Sequence, residues 1–471
     1  MIDARVADGM EAVVRRKLSG TPFGSVAAVT IAEGAAQMVL LGEAVPGKSL
    51  TSATPFHICS CSKMFTALLC AELIGERIAW WEDPVSNVVP EFQLPEGKVA
   101  VRCTLRDLAT MTAGLGRDGI AEWGFSQEAP KAERIARARH MPVAGRPGVD
   151  FTYSNLCYIA LGLALERLTG RSLAGLLRER IFQPLGMTDS FSAGIDPVAI
   201  SFASPYMPDG QFALPVPDLT GPNSEGSARV HLSARDAITW LRFLLNASRG
   251  GAGPLTDAAR TIMSPAADIA VPDPRRAPEG ARCAYGMGMF ATGFAGGRLL
   301  HHSGGGRGWR HNLALLPEAN AGAIVMAAVE SPIIDGLALD LLDRIALARD
   351  RDWSGRFRTV AMELAAIARK AVEARFPAAG GDADPIDMAL GYYSNPITGR
   401  VRLEREGAAV RFRVEDAPVF DGVVHPLGRD IHALSFDEPA MAPQPLDIPF
   451  RLQFSHDAIR SDYFGELRRC A

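Results

Sequence analysis

The sequence predicts an α+β protein: an antiparallel sheet flanked by helices, followed by a small antiparallel β-barrel. Three observations carry the prediction. Apolar strand-like runs lie near both ends of residues 1–350, with helical periodicity between them. A run of Pro, Ala, Gly and Asp, Pro377-Ala378-Ala379-Gly380-Gly381-Asp382-Ala383-Asp384-Pro385, reads as a linker. Beyond it the hydrophobic period falls to two.

Taken in order, Ile2, Val6, Met10, Val13, Val14 and Leu18 recur at helical spacing and predict an amphipathic first helix. Val26–Ile31 and Met38–Leu41 read as two strands joined at Glu33-Gly34, a hairpin signal. A helix starting at about Ser60 carries Met64, Phe65, Leu68, Leu69, Leu73 and Ile74, apolar nearly all round. Leu156–Leu168 is a second apolar helix, stopped by Gly170. His231–Leu245 is a third, with Ser233 as its N-cap. Leu313–Leu316 and Ala323–Val329 read as buried strands, and 335–375 as helix. Val401 and Leu403, then Val410, Phe412 and Val414, then Phe450, Leu452 and Phe454 alternate with polar residues, as barrel strands do. The expected divisions are a first domain over 1–350, helix and linker over 351–384, and a barrel over 385–471.

At 471 residues, with 48% hydrophobic and 22% charged residues, the chain has room for two or three domains with sizeable cores. A net charge of −4 and a pI of about 6.2 give no drive toward nucleic acid or an anionic membrane. The N-terminus carries charges where a secretory signal needs an apolar stretch. The longest apolar run, Ala321–Val329, is too short to span a bilayer. The seven cysteines, Cys59, Cys61, Cys70, Cys103, Cys157, Cys283 and Cys470, have no framework spacing and read as reduced thiols in a cytoplasm. Cys59-x-Cys61 lacks the second pair that a metal hook needs, so both are read as small apolar fillers.

Three segments carry chemistry. In Ser60-Cys61-Ser62-Lys63, residues three apart share a helical face, so Lys63 Nζ can reach Ser60 Oγ and act as its base. Lysine is scarce, at six residues, and only Lys63 has a serine three positions before it. The alternative is a capping serine with a surface lysine. Tyr153-Ser154-Asn155 offers a phenol to relay a proton and an amide to orient lysine and substrate. The same triplet recurs as Tyr393-Ser394-Asn395 before Pro396, so one of the copies reads as a turn. In His302-Ser303-Gly304-Gly305, glycines permit close backbone approach, and the Gly305 and Ser60 amides could form an oxyanion hole. Here the alternative is a glycine-rich turn with a surface histidine.

Together, in this order, the three segments resemble the penicillin-recognising serine hydrolases, the class C β-lactamase-like superfamily with its D,D-peptidases and esterases. Thr104-Leu105-Arg106-Asp107-Leu108, Gly114-Leu115 and Glu179–Met187 look like that superfamily's connecting segments, and the likeness covers roughly 20–350. The resemblance implies a β-lactamase/D,D-peptidase-like domain with an all-helical lobe. Ile58–Lys63 and His302–Arg310 are similar to the D-aminopeptidases, which append barrel domains; Gly391-Tyr392-Tyr393-Ser394 resembles the start of the last, lipocalin-like one. This chain has room for one barrel.

The resemblance further implies Ser60 as nucleophile, Lys63 and Tyr153 as the proton-transfer pair, Asn155 positioning lysine and substrate, and His302 supporting the tyrosine or leaving group. The Ser60 and Gly305 amides would bind the oxyanion. Gly304, Arg307 and Arg310 are weaker substrate-binding candidates, the arginines for a substrate carboxylate. For a substrate ammonium, the acidic barrel positions Glu415-Asp416 and Asp437-Glu438 are candidates. The implied activity is release of N-terminal D-amino acids from peptides, amides or esters. The alternatives are an esterase or penicillin-binding hydrolase, and a slowly deacylating sensor of cell-wall fragments. No metal or organic cofactor is implied; the expected partner is a small peptide, amide or ester, with a homodimer allowed for.

Overall fold

The computed structural model describes residues 4–95, 103–116, 130–192, 203, 206–209, 212–215, 222–270, 273–306, 308–377, 386–415, 417–428, 430–437, 450–455, 457–461 and 463–470. Ile2, Arg307, Asp416, Glu438 and most of the 377–385 linker lie outside them.

The hairpin signal at Glu33-Gly34 is a two-residue turn in which both residues take positive φ, 49° and 84°. It joins Ser25–Ala32 to Ala35–Val45 with Ala32 opposite Ala35. Ser25–Ala32 also pairs along its whole length with Ala321–Ala328, so an early strand and the last strand of the sheet lie side by side. From there the antiparallel sheet runs through Trp309–Leu316, Gly297–Gly306, Phe290–Phe294, Cys283–Tyr285 and Ala267–Ile269, nine strands with Lys48–Ser49 at the other edge. Alternation along Ser25–Ala32 splits its side chains between two cores. Val26 and Ala28 join Met10, Val13, Val14 and Leu18 of the first helix and the helix Ile333–Leu347. Ala27, Val29 and Ile31 face the larger core, which holds the helices Lys63–Gly75, Asn155–Thr169 and Ala234–Ser248.

Two expectations need correction. The helix expected from His231 begins at Ala234; Ser233 is its N-cap, accepting from the Asp236 amide. His231 instead belongs to the strand Val230–Ser233, which pairs with Pro55–His57. Burial of both strands decides this, since periodicity cannot separate a short apolar strand from a helix start. The helix read over 335–375 is two, Ile333–Leu347 and Trp353–Arg375. Ala348 turns left-handed between them, and Asp340 accepts from the amides of Trp353 and Ser354.

The C-terminal strands, from Gly391–Asn395 to Gly465–Arg469, close into an eight-stranded antiparallel barrel. Its interior is filled by Tyr393, Val401, Leu403, Phe412, Phe420, Leu452 and Phe464. The second Tyr-Ser-Asn copy is structural. Tyr393 Oη donates to Ala389 O, and Asn395 Oδ1 accepts from the amides of Ile397 and Thr398 to shape a turn. That turn touches the first domain, where Arg137 donates to Ile397 O at 2.8 Å.

Candidate active site

Cys59–Ser62 forms a single 3₁₀ turn, and the α-helix proper starts at Lys63. Ser60 therefore sits one turn before the helix rather than inside it. Cys59 holds φ at +49°, an unusual conformation for a side-chain-bearing residue, immediately before the serine. The Val230 amide donates to Ser62 Oγ and locks the turn to the neighbouring strand.

Lys63 is fully buried. Its ammonium has three donors, and each meets an acceptor: Ser60 Oγ at 3.0 Å, Asn155 Oδ1 at 2.7 Å and Ser227 O at 2.9 Å. The two motifs far apart in sequence thus meet on one atom. Asn155 is presented by the first turn of the helix Asn155–Thr169, which Ser154 caps by accepting from the Cys157 amide. Ser227 O was not foreseen, because a main-chain acceptor leaves no mark in a sequence. It sits on a turn where Gly226, φ +91°, approaches Tyr158 O so closely that a Cβ would lie 2.2 Å away.

Tyr153 is half-buried, and its ring centroid lies 5.1 Å from Lys63 Nζ. All three lysine donors are spent elsewhere, so the pair is in contact through the ring face and not through a hydrogen bond.

The third segment is part of the strand Gly297–Gly306 itself. His302, Gly304 and Gly306 fall on one face by alternation. That face meets the turn that carries Ser60: a Cβ on Gly304 would stand 2.4 Å from Ile58 O, and one on Gly306 3.3 Å from Cys59 Sγ. Glycine is required at 304 for this approach. His302 is buried, with Nδ1 2.6 Å from Ser303 O, so Nδ1 is the protonated nitrogen and Nε2 a bare acceptor. Burial first, then the charge of Lys63, holds its pKa well below the ordinary histidine range. Its ring lies 6.2 Å from those of Tyr153 and Tyr285 and 5.3 Å from Phe290.

Arg310, expected to read a substrate carboxylate, is already engaged by Asp335 through Nε at 2.9 Å and through a second, shorter contact from Nη2. Its Nη1 packs at the Cα of Gly305, on the face opposite Cys59. Glu415 pairs with Arg400 and Asp437 with Arg411, both within the barrel. Sequence reasoning missed a cation that does lie at the site: the Arg276 guanidinium is 5.6 Å from the Tyr153 ring centroid.

The family model Beta-lactamase matches residues 13–348, which take in the antiparallel sheet, its flanking helices and the meeting of Ser60, Lys63 and Asn155. The chain belongs to the Beta-lactamase family. Among family relatives, an unguisins hydrolase of Aspergillus campestris is 24% identical over 74% of this chain and 68% of its own. A D-aminopeptidase of Brucella anthropi is 26% identical over 65% of this chain; the match spans 58% of that protein's length. The octameric penicillin-binding protein homologue from Pyrococcus abyssi superposes with a TM-score of 0.63, covering 98% of this chain and 99% of that one at 20% identity. The last comparison shows a shared fold. This Beta-lactamase-family chain is accordingly a serine hydrolase by kinship. Among its described residues no helix is long and apolar enough to cross a membrane.

Proposed function

We propose that this protein cleaves small D-configured peptides and amides at their N-terminal residue through an acyl-enzyme on Ser60. One observation carries the reading: the Nζ of buried Lys63 stands 3.0 Å from the serine hydroxyl, held there by Asn155 Oδ1 and Ser227 O. With Lys63 as the free amine, Asn155 Oδ1 and Ser227 O take its two N–H donors and its lone pair meets the Ser60 hydroxyl, so Ser60 Oγ attacks the carbonyl carbon as its proton passes to Nζ and on to Tyr153. The oxyanion is received by the Ser60 and Gly305 amides. Tyr153 returns the proton to the departing amine, and water, activated by the same pair, releases the acid. Asn155 and the Ser227 carbonyl fix the lysine; neutral His302 lines the tyrosine side. The D-aminopeptidase relatives support the substrate class, and the seven disulfide-free cysteines support a cytoplasmic setting.

Steady-state hydrolysis of D-Ala and L-Ala p-nitroanilides, a p-nitrophenyl ester and a chromogenic cephalosporin, with Ser60→Ala as control, tests it. Turnover of the D-anilide, lost in the variant, is expected. Ester turnover alone would make the protein an esterase on the same residues. Activity surviving in Ser60→Ala would overturn the mechanism. A D,D-peptidase-like reading is favoured by one feature, the cation Arg276 beside Tyr153.

A further inference from the structure

Lys131 opens the short helix Lys131–Ala136 and stands between two carboxylates from distant parts of the chain. Its Nζ lies 3.0 Å from Glu166 Oε2 and 3.2 Å from Glu225 Oε2. The three side chains are only 14%, 20% and 18% exposed, so solvent screens this bridge far less than one on open surface. Among the described residues, no other cation pairs with either carboxylate.

The two carboxylates belong to the two elements that hold Lys63. Glu166 lies on the helix Asn155–Thr169, about three turns beyond Asn155, and its other oxygen accepts from the Leu173 amide at 3.0 Å. Glu225 stands two residues before Ser227, whose carbonyl accepts from Lys63 Nζ. Helix and turn meet backbone to backbone, since a Cβ on Gly162 would fall 3.2 Å from Gly226 Cα. Two facing glycines allow that approach but supply no side chains to lock it. The turn is pinned from two further sides. Thr66 Oγ1, on the helix that Lys63 opens, donates to Gly226 O at 2.8 Å, and Arg134, on the same short helix as Lys131, donates to Asn223 O at 3.4 Å.

We propose that Lys131 is a positioning residue: by tying Glu166 to Glu225 it fixes the spacing of Asn155 Oδ1 and Ser227 O, the two acceptors that set Lys63 Nζ against Ser60. The role rests on the acyl-enzyme reading above. Without the cation, two facing carboxylates repel each other and the turn shifts away from the helix. Ser227 O then moves relative to Asn155 Oδ1, and a misplacement of about 1 Å at a reacting group can cost about a hundredfold in rate. Lys131 does not touch substrate, so the loss falls on kcat rather than on KM.

The test uses the full chain and whichever of the D-Ala p-nitroanilide and the p-nitrophenyl ester the wild type turns over faster. Lys131→Met leaves two carboxylates without a cation and can fail to fold, so Glu225→Gln, which cuts the same tie without doing so, is measured beside it. Each should lower kcat by about tenfold with KM within about twofold of wild type. Added to Asn155→Ala, where one acceptor is already gone, each should cost only about twofold more. Arg167→Ala, which breaks the pair with Glu91 on the same helix, should keep the wild-type kcat. Wild-type kcat in Glu225→Gln, or equal losses with and without Asn155, overturns the proposal. Hydrolysis that persists in Ser60→Ala sinks the acyl-enzyme reading instead, so the two failures are distinct.

Discussion

Asn155 Oδ1 accepts from Lys63 Nζ at 2.7 Å, closer than the 3.0 Å contact of the same ammonium with Ser60 Oγ. The amide acts as a stop that fixes where the lysine can stand. In the proposed mechanism Lys63→Ala removes the proton acceptor, and it should lower kcat/KM by about 10³-fold or more. Asn155→Ala should cost less activity, about 10²-fold. It also strands a buried charged donor, for a stability loss of about 1–3 kcal/mol. Kinetics beside thermal melts separate these effects. An Asn155→Ala enzyme with wild-type kcat/KM would show that the stop is not needed.

Cys59 and Gly304 meet where the strand Gly297–Gly306 crosses the turn that carries Ser60, with a Cβ at 304 falling 3.3 Å from Cys59 Cβ and 2.4 Å from Ile58 O. Gly304→Ala must push the turn and strand apart and should lose most activity, because Ser60 and the Gly305 amide move relative to each other. Cys59→Gly relieves a positive φ and should be tolerated, shifting stability by no more than about 1 kcal/mol. Finding Gly304→Ala active and Cys59→Gly inactive would reverse this account of the crossing.

Much of this geometry could be read beforehand where one residue type carries the signal locally. Glu33-Gly34 dictates its turn, Ser233 its cap, and Ser60 with Lys63 their shared face. Pro396 after Asn395 marks the barrel copy of Tyr-Ser-Asn as a turn, and it is one. What escaped lay in long-range or main-chain partners. Ser227 acts through a carbonyl, and Arg310 finds Asp335 across 25 positions. Arg276 differs from Arg275 only in what folds against it. His231 was drawn into a helix because its strand partner, Pro55–His57, lies far back in the chain.

The Arg310–Asp335 pair braces Gly305 from the face opposite Ser60's turn, and Asp335 is only 3% exposed. Breaking such a pair from one side leaves a poorly hydrated charge. Asp335→Ala should therefore destabilise the protein by about 3 kcal/mol. It should also lower kcat more than KM, since the strand proposed to bind the oxyanion through Gly305 loses its support. Arg310→Met with Asp335→Leu, an apolar replacement of both, should recover stability beyond the single variant. Denaturant melts of all three decide it; equal stability of single and double variants would remove the ion pair from the account.

Four buried histidines set an acid limit on the fold. Burial lowers His57 and His311 to about 3 and His301 to about 4, and holds His302 well below 6.5. Each is neutral when folded but takes a proton near pH 6.5 when unfolded, so below that pH the unfolded chain binds more protons. Stability is full above about pH 6.5 and falls as pH drops toward the folded values, by up to about 1.4 kcal/mol per pH unit for each group. Glu72, Asp236 and Asp340, raised chiefly by burial, act oppositely and soften the fall near the carboxylate range. The unfolding midpoint should be flat from pH 8 to 7, then drop steeply between pH 6 and 5. His57→Gln should remove about one proton from that slope, whatever it does to the midpoint itself. Melts at half-unit pH steps measure both, and a midpoint constant from pH 7 to 5 would mean that these imidazoles are not held neutral by the fold.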